Sequence, residues 1–349
     1  MIIRRKSSST VTALRAPPAS RMRSGRARAA RAAAFATAGL ATVGLVLTGV
    51  FAYGASASTQ LPWTSGVYLP MATPASVAGF GAWRGTTVDV ATVWPNRSSW
   101  SDITNPSWLY QTWKGAPETV AFGVAMLPEN VPGVSLQACA NGAYNSYWTQ
   151  FGTNISAYGL GKSIIRLGWE FNGNWYVWKA TDPTVWAACW RQIVTSARTT
   201  APGLQWDWNV DRGVSAGLAD PTQAYPGDAY VDTIGVDSYD MWPGATSAAN
   251  WQKQLNGTQG LNYWLAFAIA HGKKFAVPEW GNVTTGSSAG GDNPAYVNDM
   301  RGFFQANAAN LAWESNFQGT TVGGNYGTGG NYGTDTPVPN AAAAYKAGF

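Results

Sequence analysis

The sequence holds one histidine, His271, and two cysteines, Cys139 and Cys189. A Ser-His-Asp relay or a His-rich metal site has too few imidazoles to assemble, so no metal and no cofactor are expected. His271 closes an apolar helical stretch and precedes Gly272, a helix stop, which marks it as a capping or surface residue. Two cysteines do not make a disulfide-built scaffold. In an exported chain they can pair and staple neighbouring helices; two buried free thiols are the alternative. No Gly-x-Gly-x-x-Gly turn follows the first apolar run, which argues against a dinucleotide fold. Acidic residues are missing from the first 88 positions altogether.

That last absence organises the N-terminus. Nine Lys or Arg residues fall between Arg4 and Arg31, an apolar run extends from Ala32 to about Tyr53, and Ala55-Ser56-Ala57 follows. Basic, apolar, small is the secretory order, so residues 1–57 read as a targeting segment and the chain as a secreted, extracellular protein. Arg4-Arg5 leaves a twin-arginine route open beside the general one. The run is close to bilayer length, so an uncleaved, surface-anchored form is the alternative, and a membrane is met only there. Without the segment, fourteen basic residues face all eighteen acids, a net charge of −4. The basic whole-chain balance is therefore misleading, and no nucleic-acid partner is expected.

Residues 58–349 contain eight short apolar or aromatic runs: Ser65–Leu69, Thr86–Trp94, Glu118–Leu127, Lys162–Glu170, Leu204–Asn209, Val231–Tyr239, Lys274–Trp280 and Leu311–Phe317. Unbroken runs of this kind suit strands covered on both faces. Helical patterns lie between several of them. The clearest opens with Asp182-Pro183 and continues to Arg198, and two more cover Gly260–Gly272 and Pro294–Asn310. Leu127–Asn141 resists assignment. Eight strands alternating with helices over this length predict an α/β fold, a single (β/α)8 TIM barrel, with a monomer expected. A local repeat, Gly324–Gly329 followed by Gly330–Thr334, reads as a surface loop after the eighth strand, or as a lip over the cleft.

Catalysis on such a barrel takes place where strands end at their C-terminal side. Glu170 ends the fourth run and Glu279 the seventh, and each is flanked by Trp and Gly. Strands three apart in a ring of eight face each other, so two carboxylates 109 positions apart can converge. Two carboxylates are what glycoside hydrolysis needs: one protonated, to protect the leaving oxygen, and one ionised, to trap the anomeric carbon. Arg166 and Arg84 are candidate positive neighbours, and Tyr239 can donate to the neighbouring Glu279. Nineteen tryptophans exceed what a core of this size needs. Trp94, Trp175, Trp242 and Trp280 follow or end strands and are candidate sugar platforms. Trp186, Trp190 and Trp264 fall in helices and should pack on the barrel. Trp206 and Trp208 share one face of strand five, lumen or shell. Asn209 and Glu314 are further candidates for reaching a substrate. Asp228, Asp232, Asp237 and Asp240 are spread along a loop and a strand rather than gathered as a cation site.

The segment Trp169–Trp178 resembles the acid/base segment of glycoside hydrolase family 26, the β-mannanase family of clan A. Tyr225–Tyr239 is similar to that family's sixth-strand motif, and Pro278-Glu279-Trp280-Gly281 to its nucleophile segment. The resemblance implies Glu170 as general acid/base, Glu279 as nucleophile, Tyr239 as the nucleophile's support and Trp175 as a sugar platform. One departure concerns specificity. The family places His before the acid/base Glu to recognise the sugar at the cleavage point, and Trp169, which stands there in this chain, is the substrate-binding candidate at that position. Trp cannot accept a hydrogen bond, so the polar network must differ. The expected function is a retaining endo-acting β-glycanase on a polysaccharide, β-mannan first. β-Glucan, xylan or a bacterial cell-wall glycan are alternatives, as are a non-catalytic carbohydrate-binding barrel and a surface-tethered structural protein.

Overall fold

A computed structural model describes residues 60–319, 326, 333 and 335–349. The expected targeting segment and nearly all of the Gly-Asn-Tyr repeat lie outside the described residues. Among the described residues, no helix is long and apolar enough to cross a membrane.

Eight parallel strands close into a barrel in sequence order: β1 (Ser65–Tyr68), β2 (Val90–Val93), β3 (Thr119–Val124), β4 (Ile164–Leu167), β5 (Gln205–Asp211), β6 (Thr233–Tyr239), β7 (Lys274–Gly281) and β8 (Leu311–Phe317). The ring shuts by β1 pairing with β8, Ser65 opposite Glu314. This is the (β/α)8 architecture that the alternating runs predicted. Helices α1 (Pro74–Arg84), α2 (Trp100–Thr104), α3 (Ser107–Trp113), α4 (Leu136–Ala140) and α5 (Asn145–Ala157) accompany the first half. Helices α6 (Pro183–Arg198), α7 (Ala248–Asn256), α8 (Leu261–Ala270), α9 (Pro294–Ala306) and α10 (Pro339–Gly348) accompany the second.

Local chemistry sets these boundaries. Asp182 caps α6 by accepting from Val185 N, with Pro183 at the first turn, and Asn293 with Pro294 does the same for α9. Helix α9 stops at Ala306, four residues short of the sequence pattern, where Asn307 Nδ2 takes the Phe303 carbonyl. The unassigned stretch before Asn141 is mostly loop and ends in the five-residue α4. Cys139 on α4 and Cys189 on α6 form a disulfide, tying the two helices together.

Strand alternation sorts side chains into two environments. On β5, Trp206, Trp208 and Val210 point outward and are fully buried under helices. Trp208 packs against Phe171, Trp264 and Phe267, and Trp186 against Phe171 and Trp190. Asp207 and Asn209 point inward and meet Arg166 from β4. The outer layer is thus an aromatic shell, and the lumen beneath the barrel mouth carries charge.

Candidate active site

The lumen charge is built around Arg166, whose side chain is fully buried. Its Nη2 donates to Asn209 Oδ1 (2.6 Å), to both carboxylate oxygens of Asp237 (2.8 and 3.0 Å) and to Glu279 Oε1 (2.7 Å). Asp207 lies 4.0 Å from its Nε. Burial alone would strip charge from this guanidinium, but Asp237, Glu279 and Asp207 outweigh it and hold the proton more tightly than usual. One cation thus serves three carboxylates. Burial pushes Asp207 up to about 7 even with Thr233 and Arg166 opposing. Burial likewise lifts Asp237, with Glu279 and Glu170 adding to it and Arg166 opposing.

Glu279 sits near the end of β7, where register slips against β6 and β8 aim it into the mouth. Its second oxygen accepts the Tyr239 hydroxyl at 2.5 Å. Burial and the negative charges of Glu279 and Asp237 raise Tyr239, so the phenol stays a donor. A carboxylate held by a guanidinium on one oxygen and a phenol on the other is fixed in orientation by two charge-assisted hydrogen bonds.

Glu170 is delivered differently. β4 ends at Leu167, earlier than the apolar run suggests, because the chain turns at Gly168 and Glu170, both with left-handed φ of 54° and 52°. For a residue with a side chain that conformation costs about 1–3 kcal/mol and must be held by its surroundings. Three features hold it. Glu170 N donates to Asn209 O at 3.0 Å. Trp178 Nε1 takes the Trp169 carbonyl at 3.0 Å. Asn172, fully buried, clamps the backbone N–H and C=O of Asp211 at 2.9 and 2.8 Å. Trp175 then folds back so that its Nε1 donates to Glu170 Oε2 at 3.0 Å. The ring lies on Gly173, where a Cβ would come within 2.4 Å of it, so only glycine permits this fold-back. Burial raises the Glu170 carboxyl well above its ordinary range, reinforced by Glu279 and Asp211 and opposed by the Trp175 hydrogen bond and Arg166. The two carboxyl groups therefore differ in environment: one is anchored by a cation and a phenol, the other is biased toward its protonated form.

Both open into one cleft of about 670 Å3, which is also lined by Trp175, Tyr176, Asp211, Arg212, Tyr239 and Trp242. A larger concavity, about 840 Å3, lies at the opposite end of the strands against Gly85, Val88, Asp89 and Glu118. Barrel chemistry belongs to the C-terminal end, so the smaller cleft is the candidate site.

The remaining sequence candidates divide. Trp175 and Trp242 are half or more exposed, at 50% and 71%, and stand in the cleft. Trp94, half-buried, lies edge-on to Tyr68 and over Gly123, with its ring 5.3 Å from the Arg166 guanidinium. Trp169 is buried rather than offered to the cleft: its Nε1 donates to the Tyr176 hydroxyl at 3.0 Å and its ring packs on Trp178 and Tyr176. Asn209 is buried beneath the carboxylates and serves Arg166 and Asp237, so it does not reach the cleft. Trp280 is not a platform. It points outward from β7 into a pocket of Phe304, Tyr345 and Phe349, and its Nε1 donates to Glu314 Oε2 at 2.6 Å. Glu314 is likewise outside the lumen, accepting from Trp63 and Ser65 as well. Arg84 belongs to that outer cluster, donating to Ser65 and Tyr345, and is no neighbour of Glu279. His271 pairs with Asp228 at 2.8 Å at the end of α8. Asp232 meets Arg198 and Asp240 clamps a loop through Ala245 N and Asn293, so the four aspartates are dispersed. Among the described residues no cluster of His, Cys, Asp or Glu could hold a metal ion.

Asp207, Asp211 and Asn172 were not singled out from sequence. The first two were accessible: they alternate with Trp206 and Trp208 on one strand, which places them with Asn209 on the opposite face. Asn172 shows its role only once β4 and β5 are side by side.

Residues 162–277 match the family model described as glycosyl hydrolase family 26. The matched span contains Glu170 and Tyr239 and stops two residues before Glu279. Endoglucanase H of Acetivibrio thermocellus is 30% identical over 120 residues, 32% of this chain and 13% of its own length. Among solved structures, a modular endo-β-1,4-mannanase from Cellulomonas fimi aligns at 18% identity with a TM-score of 0.52, over 68% of this chain and 59% of that one. The catalytic domain of a family 26 endo-β-1,4-mannanase from Bacillus sp. JAMB-750 aligns at 16% identity with a TM-score of 0.56, over 81% and 85%. The chain thus spans about one-eighth of the endoglucanase and about three-fifths of the Cellulomonas mannanase. At such identities the two structures share the fold.

Proposed function

We propose that this chain, a divergent relative of glycoside hydrolase family 26, is a secreted retaining endo-β-glycanase that cleaves a polysaccharide by double displacement. The observation that carries the reading is the pair Glu170 and Glu279, delivered from β4 and β7 into one cleft, Glu279 held by Arg166 and Tyr239 and Glu170 raised by burial. Glu279 attacks the anomeric carbon while Glu170 gives its proton to the departing glycosidic oxygen. The C–O bond to the leaving sugar breaks as the ester bond to Glu279 forms. Glu170, now a carboxylate, takes a proton from water, and the resulting hydroxide equivalent displaces Glu279 from the opposite face, the one the leaving sugar vacated. Arg166 and Tyr239 stabilise Glu279 as it regains its charge. Retention requires the two carboxyl groups to stand about 5–5.5 Å apart.

β-Mannan is the first substrate to try, following the mannanases that share the fold. β-Glucan is the second reading, favoured by two observations. The relative that is 30% identical over 120 residues is named an endoglucanase. Position 169 holds a buried indole whose N–H is already engaged by Tyr176.

Hydrolysis of a panel of soluble mannans, β-glucans and xylans, with Glu170→Ala and Glu279→Ala as controls, tests the reading. Release of reducing ends from one polymer class by the wild type alone supports it. A wild type that binds a glycan and cleaves none replaces it with the carbohydrate-binding barrel.

A further inference from the structure

A third carboxylate stands in the cleft and has no part in the two-step reaction. Asp211 ends β5, is half-buried and lines the same wall as Glu170, Trp175 and Trp242. Its backbone is fixed by the Asn172 clamp, so the position of the side chain is set independently of substrate. Its neighbour Arg212 does not neutralise it by an ion pair among the described residues. The Arg212 guanidinium is turned away, donating to Ser238 Oγ at 2.9 Å and to the carbonyls of Tyr239 and Met241 at 3.3 and 2.7 Å. Asp211 Oδ2 accepts Ser215 Oγ at 3.3 Å, a long contact that leaves most of the carboxylate's acceptor capacity free.

Its place in the cleft defines what it can meet. A general acid faces the oxygen of the unit that departs, so the leaving sugar lies against Glu170 and the groups packed about it. Those groups are Trp175 from the β4 loop, Asp211 from β5, and Trp242, held out by a loop in which Trp242 N and Gly244 N both donate to Ser288 O. Two exposed indoles beside a carboxylate that accepts Ser215 and has no ion pair among the described residues form a recognisable combination. Aromatic faces take the C–H side of a pyranose, and the carboxylate accepts from adjacent hydroxyls at its edge.

We propose that Asp211 is the hydroxyl-binding residue of a leaving-group subsite walled by Trp175 and Trp242, and that it accepts hydrogen bonds from a vicinal diol of the sugar there. The assignment rests on the retaining-glycosidase reading and extends it to the side of the cleft that binds acceptors. In the second step a sugar bound there competes with water. The ester bond between the anomeric carbon and Glu279 breaks, a bond from that carbon to the acceptor oxygen forms, and the acceptor's hydroxyl proton passes to Glu170.

The test is the ratio of transfer to hydrolysis. An activated aryl glycoside of the sugar identified on the polysaccharide panel serves as donor, and a disaccharide of the same sugar as acceptor. Glu170 is the base for water and sugar alike, so an electrostatic effect of Asp211 on Glu170 cancels in the ratio, whereas a lost acceptor contact does not. Asp211→Ala should lower the ratio about tenfold or more, as expected for a hydrogen bond to a charged group. Asp211→Asn, which keeps one acceptor oxygen, should lower it less. A circular dichroism spectrum and denaturation midpoint like those of the wild type report that each variant is folded. An unchanged ratio in both variants, or a wild type that forms no transfer product at saturating acceptor, overturns the assignment. A wild type inactive on the aryl glycoside and on every polymer instead overturns the glycosidase reading, and the subsite falls with it.

Discussion

Glu279 and Glu314 sit on neighbouring strands, both buried, and belong to different chemistries. Glu279 faces the lumen, where one guanidinium is shared among three carboxylates and the mouth opens to solvent. Glu314 faces the shell, where Trp63, Trp280 and Ser65 donate to it and aromatic rings close over the cluster. Burial is the same in kind; the partners differ. Three neutral donors around one carboxylate make a satisfied structural joint. A shared cation in a crowded acidic lumen makes a site whose charges can be redistributed by a reaction.

The largest expected effect comes from the lumen. Glu279→Ala should reduce polysaccharide hydrolysis by a factor on the order of 10⁴ or more, while the circular dichroism spectrum stays that of the wild type. Glu314→Ala should do the reverse. It leaves two indole N–H groups and a hydroxyl without their acceptor, at about 1–3 kcal/mol for each buried donor that stays unpaired. The denaturation midpoint should fall by several degrees, with activity per folded molecule within about twofold to threefold of the wild type. If Glu314→Ala instead kept its stability and lost its turnover, the division between lumen and shell would be wrong.

A smaller effect sharpens the lumen side. Tyr239→Phe removes one charge-assisted hydrogen bond to Glu279 and keeps the ring, so kcat should fall about 10- to 100-fold with folding intact. Smallest is a pH effect on stability. Asp207 titrates near 7 when folded and near 3.9 when unfolded, so between those values the native state binds more protons than the unfolded chain. Stability should therefore decline as pH rises from about 4 to 7 and level off above. Asp207→Asn should flatten that slope in urea titrations run across the window.

The barrel was legible because doubly covered strands announce themselves as unbroken apolar runs. The pair Glu170 and Glu279 was legible because a charge closing such a run is rare. What the sequence hid was direction. Strand β7 is apolar on both faces before Glu279, so nothing in it says whether the mouth or the shell receives Trp280, and register slips on both sides of the strand blur the count further. Glu314 was ambiguous for the same reason. On β5 the alternation of acids and tryptophans separates two faces, but it left open which of them is the lumen. The left-handed turn that presents Glu170 could not be read at all, because it is imposed by Asn172, Trp178 and the neighbouring β5 backbone rather than by the local residues.

Direct attack of Glu279 on the sugar fixes which anomer is released first. Proton NMR of a β-linked oligosaccharide during the first minutes of hydrolysis, before mutarotation, should show the β-anomer accumulating at the new reducing end. The α-anomer appearing first would mean that water, and not Glu279, attacks the anomeric carbon.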